Sequence, residues 1–372
     1  MVEWKKLGEV ANLVRGKVIS KDYIRDFEGK YPVYSSQTAK NGIMGYINSY
    51  MFDGEYLTWT TDGAYAGTIF RRKGKFNITN VCGLIDIQEN DLDQNFVYYW
   101  LSVTAKKYVI EGMGNPKLMS NVASAIEIPI PSLEDQERIV GILDTFTASI
   151  DNIKAQIEQR RKQYEHYRNT LLTFNKDDDS VEWKTLEDIF ELRNGYTPSK
   201  ANSEFWTDGT IPWFRMEDIR DKGRILSDSY LHITESAIKG KGLFKANSFI
   251  LATTATIGEH ALLIADSLAN QQFTNLKIRK SLINNIDIKF MFYYMFVVDE
   301  FCKSHTNVSG FASVDMNALK RMAIPIPSLA RQQEIVSILD TFEASINNLE
   351  AQLEQRQKQY EYYREKLLTN LS

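Results

Sequence analysis

The sequence predicts an α+β fold in which two globular domains with mixed β-sheets are joined by two long helices that form an antiparallel coiled coil. The segment at 128–173 recurs at 324–369, and 32 of its 46 residues are identical. Apolar residues in both copies follow a heptad repeat. The stretch that precedes each copy is instead rich in strand- and turn-forming residues. A chain of 372 residues has room for two such domains.

Composition and charge exclude several classes of protein. The two cysteines are too few for a disulfide scaffold. The first ten residues are polar rather than signal-like, and the longest apolar run, 290–298, is too short to cross a bilayer. We therefore expect a cytoplasmic protein with no membrane partner.

The first domain is predicted at 1–127. Alternating aromatic, β-branched and turn-forming residues indicate strands near 31–37, 54–61 and 66–70. The segment 95–107 has the pattern of a single helix.

The central long helix is predicted at 128–174. Its seam residues step by four and three from Ile139 to Leu171, and Ser132 is a natural N-cap. A helix of about 39 residues is about 58 Å long. Arg160 interrupts the seam, and we expect its stem to pack while its charged head reaches outward.

An acidic linker at 175–180 leads into the second domain at 181–323, and the C-terminal long helix follows at 324–372. Arg356 takes the seam position that Arg160 has in the first copy. Strands are expected near 210–215 and 248–254, with a helix at 286–302.

Two long apolar seams in one chain must be covered. Because each helix follows its own globular domain, an antiparallel pair within the chain is the simplest arrangement. Pairing of seams between two chains is the alternative that the sequence leaves open.

The sequence contains no recognisable catalytic or metal-binding set. Its four histidines, at 166, 232, 260 and 305, show no ligand spacing, and there is no glycine-rich phosphate loop. We therefore expect a chain that has no catalytic residues and binds no metal or cofactor of its own.

Loops in both domains are instead rich in groups that bind DNA. Arginine and lysine pair with guanine, asparagine and glutamine with adenine, and threonine methyl groups contact thymine. The same residue types also form ordinary turns. The candidate DNA-binding residues are Ser35, Ser36, Gln37, Lys40, Asn41, Thr60, Thr61, Tyr65, Arg71, Arg72, Lys73, Asn194, Tyr196, Thr197, Ser199, Lys200, Trp213, Arg215, Thr253, Thr254, Thr256, Gln271 and Gln272.

The charge balance limits how strongly these domains attract phosphate. Residues 1–127 contain 15 basic and 14 acidic side chains, and residues 181–323 contain 17 of each. Two alternatives follow: either the chain binds double-stranded DNA weakly and partners contribute positive charge, or it does not bind DNA.

The layout resembles the specificity subunit of type I restriction–modification systems. Both repeated segments begin with Ile-Pro-Ile-Pro-Ser-Leu, and both domains contain Trp-x-x-Leu near their start, at Trp4 and Trp183. Gly195, Pro198 and the segment 256–258 fit a target recognition domain of that family. The first domain departs from the pattern, since Gly16 has no matching proline and 63–67 replaces the Thr-Ile-Gly element.

The resemblance implies a non-catalytic subunit whose two target recognition domains each read half of a bipartite, asymmetric DNA site. The helices would set the spacer between the halves. Methyltransferase (modification) subunits using S-adenosylmethionine would methylate an adenine in each half. A motor and nuclease (restriction) subunit using ATP and magnesium would cut unmodified DNA.

Two other functions are weighed against this one. A coiled-coil adaptor would explain the helices but not the hydroxyl- and amide-rich domains. A self-contained nuclease–methyltransferase would need a nucleotide or S-adenosylmethionine site, for which the sequence offers no motif.

Overall fold

The computed structural model describes residues 2–112, 114–307, 312–369 and 371. The chain forms two compact units: residues 1–155 with 351–372 make unit 1, and residues 156–350 make unit 2. Among the described residues, no helix combines the length and the hydropathy needed to cross a bilayer.

Unit 1 is built around a mixed six-stranded sheet with the strand order β2-β7-β5-β6-β3-β4, while β1 pairs with β8. All neighbours are antiparallel except β3 and β6. Its strands are β1 (Glu3–Lys6), β2 (Ala11–Arg15), β3 (Glu28–Tyr34), β4 (Ile43–Ile47), β5 (Phe52–Thr60), β6 (Ile69–Ile78), β7 (Cys82–Ile87) and β8 (Glu127–Ile130). Its short helices are α1 (Leu7–Val10), α2 (Lys21–Asp26), α3 (Gln94–Thr104) and α4 (Ser120–Ala123), with 3-10 turns at Ala39–Gly42 and Ala105–Tyr108.

The central long helix follows as α5 (Leu133–Leu171). Ser132 caps it, because its Oγ accepts a hydrogen bond from the Asp135 N–H at 3.2 Å. The cap at Ser132 and the length of 39 residues agree with the prediction, but the helix does not begin at 128, because Glu127–Ile130 form β8 and the two prolines that follow Ile128 and Ile130 interrupt a helix.

Unit 2 contains a five-stranded sheet, β10-β17-β14-β15-β12, and a three-stranded sheet, β13-β11-β16. Its strands are β9 (Glu182–Thr185), β10 (Phe190–Asn194), β11 (Ile211–Phe214), β12 (Ile225–Leu226), β13 (His232–Ile233), β14 (Ser248–Ala252), β15 (His260–Leu263), β16 (Leu268–Ala269), β17 (Phe273–Ile278), β18 (Thr306–Asn307), β19 (Ser313–Val314) and β20 (Ala323–Ile326). Its short helices are α6 (Leu186–Ile189), α7 (Met216–Lys222), α8 (Ile288–Ser304) and α9 (Met316–Arg321), with 3-10 turns at Ser203–Phe205, Glu235–Ala237 and Lys280–Leu282.

The last element is α10 (Leu329–Thr369), the second long helix. Ser328 Oγ accepts a hydrogen bond from the Arg331 N–H at 3.3 Å, so this serine caps α10 as Ser132 caps α5. The helix begins after residue 324, where it was predicted to start, because Ala323–Ile326 form β20. Both long helices contribute to both units, since α5 passes from unit 1 into unit 2 and α10 passes back.

Within unit 1, the start of α5 packs against the end of α10. The rings of Phe146 and Tyr363 stack with centroids 5.4 Å apart, and Leu143 and Leu368 belong to the same buried cluster. The Arg356 guanidinium lies 5.6 Å from the centre of the Phe146 ring. This seam arginine therefore packs on an aromatic residue of the opposite helix.

Within unit 2, the end of α5 packs against the start of α10 in the same way. Tyr167 stacks on Phe342 at 5.2 Å, and Arg161 is paired with Glu350. Arg160 lies over the Phe342 ring at 5.8 Å, which matches Arg356 in the other unit. The predicted antiparallel coiled coil is therefore confirmed in each unit, and the two helices that form it belong to one chain.

A buried glutamine attaches each long helix to its globular domain. Gln332, which is 0% exposed, accepts a hydrogen bond from the Asp287 N–H and donates to the carbonyl groups of Asn285 and Pro327, all at 2.8–2.9 Å. Gln136 makes the same three kinds of bond in unit 1. The helix start and the loop before the preceding helix are thus held together by one side chain.

Candidate nucleic-acid interface

At one end of the strands in the unit 1 sheet, β2 and β5 end and β7 begins. We call this side of the sheet its edge. In the antiparallel registers, Arg15 lies opposite Gly83, and Thr60 lies opposite Cys82. The chain leaving β2, the chain leaving β5 and the turn that enters β7 therefore meet at one place.

Gly16 brings two of these segments into close contact. Its N–H donates to Cys82 O at 3.3 Å, and the Lys17 N–H donates to Ile78 O at the same distance. A Cβ atom at position 16 would lie 2.2 Å from Ile78 O, so a side chain has no room there.

Unit 2 has the same arrangement of backbone groups around Gly195. The Gly195 N–H donates to Phe273 O at 2.8 Å, and the Tyr196 N–H donates to Ala269 O at 2.9 Å. A Cβ atom at position 195 would lie 2.2 Å from Asn270 O. Gly16 and Gly195 are therefore structurally equivalent, although the first lacks the matching proline that follows the second.

A second pair of glycines completes the correspondence. The Gly67 N–H donates to Thr60 O at 2.9 Å, and the Gly258 N–H donates to Ala252 O at 3.1 Å. Both glycines have a positive φ, +80° and +74°. The segment 63–67 thus occupies the position in unit 1 that the Thr-Ile-Gly element occupies in unit 2.

In unit 1 this edge carries a connected set of charged and polar groups. Arg15 Nη2 donates to Asn80 O at 2.5 Å and to Thr61 Oγ1 at 3.3 Å, and it lies 3.6 Å from the Asp62 carboxylate. Lys117 approaches the same carboxylate at 3.9 Å. We call these five residues, Arg15, Thr61, Asp62, Asn80 and Lys117, the polar edge of unit 1.

Sequence reasoning missed four of these five residues: Arg15, Asn80 and Lys117, which are exposed, and Asp62, which is half-buried. A signal for Arg15 existed, because it precedes Gly16 just as the predicted Asn194 precedes Gly195. Lys117 is distant from the other members in sequence and reaches them through the pairing of Asp62 with Lys117.

The equivalent polar edge of unit 2 consists of Asn194, Thr197, Asn270, Gln271 and Gln272. The Thr197 hydroxyl donates to Gln271 Oε1, and Asn270 Nδ2 donates to Gln272 Oε1 at 3.2 Å. Asn194 Oδ1 accepts from the hydroxyl of Thr274 at 3.2 Å. Four of its five members were predicted from the sequence, and the structure brings those four together.

A loop at 35–42 begins beside the polar edge of unit 1. It follows Tyr34, whose carbonyl accepts from the Thr79 N–H at 2.9 Å, one residue before Asn80. In unit 2, the segment that starts at Arg215 leaves from the equivalent place. It follows Phe214, whose carbonyl accepts a hydrogen bond from the Asn270 N–H at 3.1 Å.

Five predicted residues have buried side chains, so we expect no direct contact between these side chains and a duplex. Thr61, one of the five, belongs to the polar edge as a hydrogen-bond partner of Arg15. The Trp213 indole N–H donates to Tyr196 O at 3.0 Å, and Thr253 Oγ1 lies 3.0 Å from the hydroxyl oxygen of Thr274. Burial lowers the pKa of the Arg72 guanidinium. The buried residues are Thr60, Thr61, Arg72, Trp213 and Thr253.

The other predicted residues remain at the surface. Arg71 and Lys73 are engaged in ion pairs away from the polar edge, at 2.8 Å with Asp144 and at 2.5 Å with Glu55. The exposed residues are Gln37, Lys40, Asn41, Tyr65, Lys73, Asn194, Ser199, Lys200 and Gln271. The half-buried ones are Ser35, Ser36, Arg71, Tyr196, Thr197, Arg215, Thr254, Thr256 and Gln272.

The chemistry gathered at both edges is that of hydrogen bonding and charge. Amide, hydroxyl, guanidinium and ammonium groups suit recognition of base edges and phosphates. In the part of the chain that the structure describes, no three His, Cys, Asp or Glu side chains are grouped to hold a metal ion.

Known proteins resemble this chain over both units. The sequence matches the family described as "Type I restriction modification DNA specificity domain" over residues 1–160 and 179–357. The specificity subunit of the type I restriction enzyme EcoprrI from Escherichia coli is 51% identical over 200 residues, which cover 51% of this chain and 50% of that protein. A putative type I specificity subunit from Mycoplasma pneumoniae is 32% identical over 376 residues, 97% of this chain and 96% of the relative.

A solved structure shows the same fold. The type I restriction–modification S subunit from M. genitalium superposes with a TM-score of 0.60 at 15% identity, covering 100% of this chain and 97% of the other. The predicted α+β class with long paired helices is therefore confirmed.

Proposed function

The chain belongs to the family of type I restriction–modification DNA specificity subunits, as its sequence resemblance predicted, and from that premise we propose that each of its globular domains reads one half of a bipartite, asymmetric DNA site. Members of this family are specificity subunits rather than enzymes, and catalysis lies in partner subunits. The observation that carries the proposal is that both units have the same backbone frame but display different side chains on it.

The two polar edges offer different hydrogen-bonding groups to a duplex. The edge of unit 1 presents Arg15 and Lys117, whose donors match the O6 and N7 acceptors of guanine. The edge of unit 2 presents Asn194 and Gln271, whose amides match the donor and acceptor of adenine. Because different side chains stand on the same backbone arrangement, the two units would recognise two different half-site sequences.

The charge balance supports action within a larger assembly. Basic and acidic residues are nearly equal in number in both predicted domains, so the chain alone has little attraction for phosphate. We propose that methyltransferase subunits carrying S-adenosylmethionine supply the remaining contacts and methylate an adenine in each half-site. A restriction subunit that uses ATP and magnesium would join them to cut unmodified DNA.

We further propose that the long helices set the spacer between the half-sites. Both are continuous across the boundary between the units, and α5 alone has 39 residues. A helix pair with an apolar seam is stiff enough to fix a distance.

A domain exchange tests the proposed function. Residues 1–127 would be replaced by the equivalent domain of another specificity subunit, and the assembled methyltransferase would be presented with a DNA library. We expect one half of the methylated sequence to change and the other half to stay.

A complementary pair of substitutions serves as the control for that exchange. Asn194→Ala with Gln271→Ala should relax only the half that the domain exchange leaves unchanged. A simultaneous change of both halves in either experiment would contradict independent reading.

A further inference from the structure

Arg72 was expected to contact DNA, yet it is one of the most enclosed charged residues in unit 1. It lies in β6 opposite Tyr56, and only 3% of its surface is exposed. Its Nε donates to Thr58 Oγ1 at 3.0 Å, and its Nη1 donates to Asn41 O at 2.9 Å. The guanidinium therefore connects the sheet to the loop at 35–42.

Two aromatic rings lie against this guanidinium. Its Cζ atom lies 3.6 Å from the centre of the Tyr34 ring and 4.4 Å from that of Phe70. Stacking of this kind suits the flat, delocalised arginine head and not a lysine. The remaining nitrogen, Nη2, is buried without a hydrogen-bond partner among the described residues, and a Cβ atom at Gly42 would lie 3.0 Å from it.

The loop that Arg72 holds has a strained backbone. Lys40, Asn41 and Gly42 have φ values of +49°, +55° and +80°, three left-handed residues in succession. Lysine and asparagine in this region persist only where the surroundings impose it. The bond from Arg72 to the carbonyl of the central residue of the three supplies that constraint.

The strained backbone directs two side chains outward. Lys40 and Asn41 are both exposed, and the loop begins next to the polar edge of unit 1. We propose that Arg72 is a positioning residue for specificity, which holds the loop 35–42 so that Lys40 and Asn41 meet the DNA half-site read by unit 1. This inference rests on the proposed function, and it gives Arg72 no direct contact with DNA.

The test uses the methyltransferase assembled on this chain with Arg72→Gln. We expect discrimination within the half-site of unit 1 to fall tenfold or more, while preference at the other half stays unchanged. We also expect the slope of log K against log salt to stay unchanged. Loss of a phosphate contact would instead lower that slope by about 0.9, and such a drop would overturn the inference.

A second variant keeps the inference testable if Arg72→Gln does not fold. Gly42→Ala keeps the arginine but forces the loop out of its left-handed turn, so the same loss of discrimination is expected. Lys75→Ala, on the same strand and exposed, is the matched control and should keep both preferences. If folded Arg72→Gln and Gly42→Ala both retain the preference of unit 1, the inference is wrong.

Loop variants separate this inference from the proposed function. If Lys40→Ala and Asn41→Ala relax the half-site but Arg72→Gln does not, reading by unit 1 stands and the role of Arg72 fails. If the exchange of residues 1–127 leaves both half-sites intact, the proposed function itself fails.

Discussion

His260 is a buried histidine whose surroundings favour the neutral form. It is 0% exposed, and its Nδ1 donates to Asp299 at 2.7 Å. Burial lowers its pKa, the Asp299 carboxylate opposes that change, and the charges of Arg224 and Arg168 add to it. Its Nε2 has no partner among the described residues, so a second proton there would be buried without an acceptor.

This environment predicts a loss of stability in acid. Because the unfolded chain binds a proton to this side chain near pH 6.5 and the folded chain resists it, stability falls as the pH drops below that value. One such proton changes the free energy of unfolding by at most about 1.4 kcal/mol for each pH unit. Urea unfolding of unit 2 between pH 7.5 and 5.0 measures the change.

Two substitutions isolate this histidine from the other titrating groups. His260→Asn removes the proton site and should flatten the pH dependence relative to the parent chain. His166→Asn, at an exposed position on α5, should leave the pH dependence as it is. Equal pH profiles for the parent chain and His260→Asn would contradict the role of His260.

At the scale of elements, the attachment of α10 to its domain depends on Gln332. Truncation to alanine leaves the Asp287 N–H and two carbonyl groups without partners in a buried place. We expect Gln332→Ala to reduce the free energy of unfolding of unit 2 by about 1–3 kcal/mol. Chemical denaturation followed by fluorescence measures this loss.

The neighbouring Gln333 provides the matched comparison. It has the same chemistry at an exposed position of the same helix turn, so Gln333→Ala should change stability by less than about 0.5 kcal/mol. Equal losses for the two alanine variants would show that the buried hydrogen bonds do not hold the helix.

Helices and strands whose signals lie in their own sequence were predictable. Features that depend on contacts between residues distant in sequence were not. The heptad seam and Ser132 indicated α5 and its N-cap, because both signals lie within or directly beside the helix, whereas the predicted range from 128 included residues of β8. The strand predicted from residue 66 begins only at Ile69, since Gly67 has a positive φ. The sequence alone does not reveal which strands become neighbours.

The same distinction between local and distant signals applies to the residues of the candidate site. Asn194 and Gln271 were predicted because their residue types stand out beside turn signals, and both are exposed on the polar edge of unit 2. Arg15 and Asn80 were missed because they meet only through the pairing of β2 with β7. Arg72 was misplaced for a related reason: a basic run looks exposed in sequence, while the alternation of β6 turns one of its members inward.

At the scale of the molecule, the proposed role of the long helices predicts that the DNA spacer between the two half-sites can be lengthened by lengthening the helices. One heptad inserted in each helix, between Ile153 and Tyr164 and between Leu349 and Tyr360, keeps the seam in phase. Each helix grows by about 10 Å, which corresponds to about 3 base pairs of DNA. Methylation of a library with fixed half-sites and varied spacers should then select a longer spacer.

The control for this extension is a change of phase. Two residues inserted in one helix only should break the seam and destabilise the chain. A folded, in-phase variant that keeps its original spacer preference would refute the role of the helices.

Charge at the scale of the whole chain predicts a dependence on partners. With a net charge of −4, the isolated chain should bind a duplex weakly. The assembled methyltransferase should bind more tightly and lose affinity more steeply with salt, because each phosphate contact releases counterions. Affinity measurements at several salt concentrations check this, and equal slopes would contradict a contribution of charge by the partners.

The close approach at Gly16 and Gly195 has a consequence for how such proteins diversify. The bonds that define each frame join backbone groups and do not depend on the identity of the neighbouring side chains. Side chains beside each glycine can therefore change by single substitutions while these backbone hydrogen bonds stay intact. A change in the recognised sequence is then reachable through a series of folded intermediates.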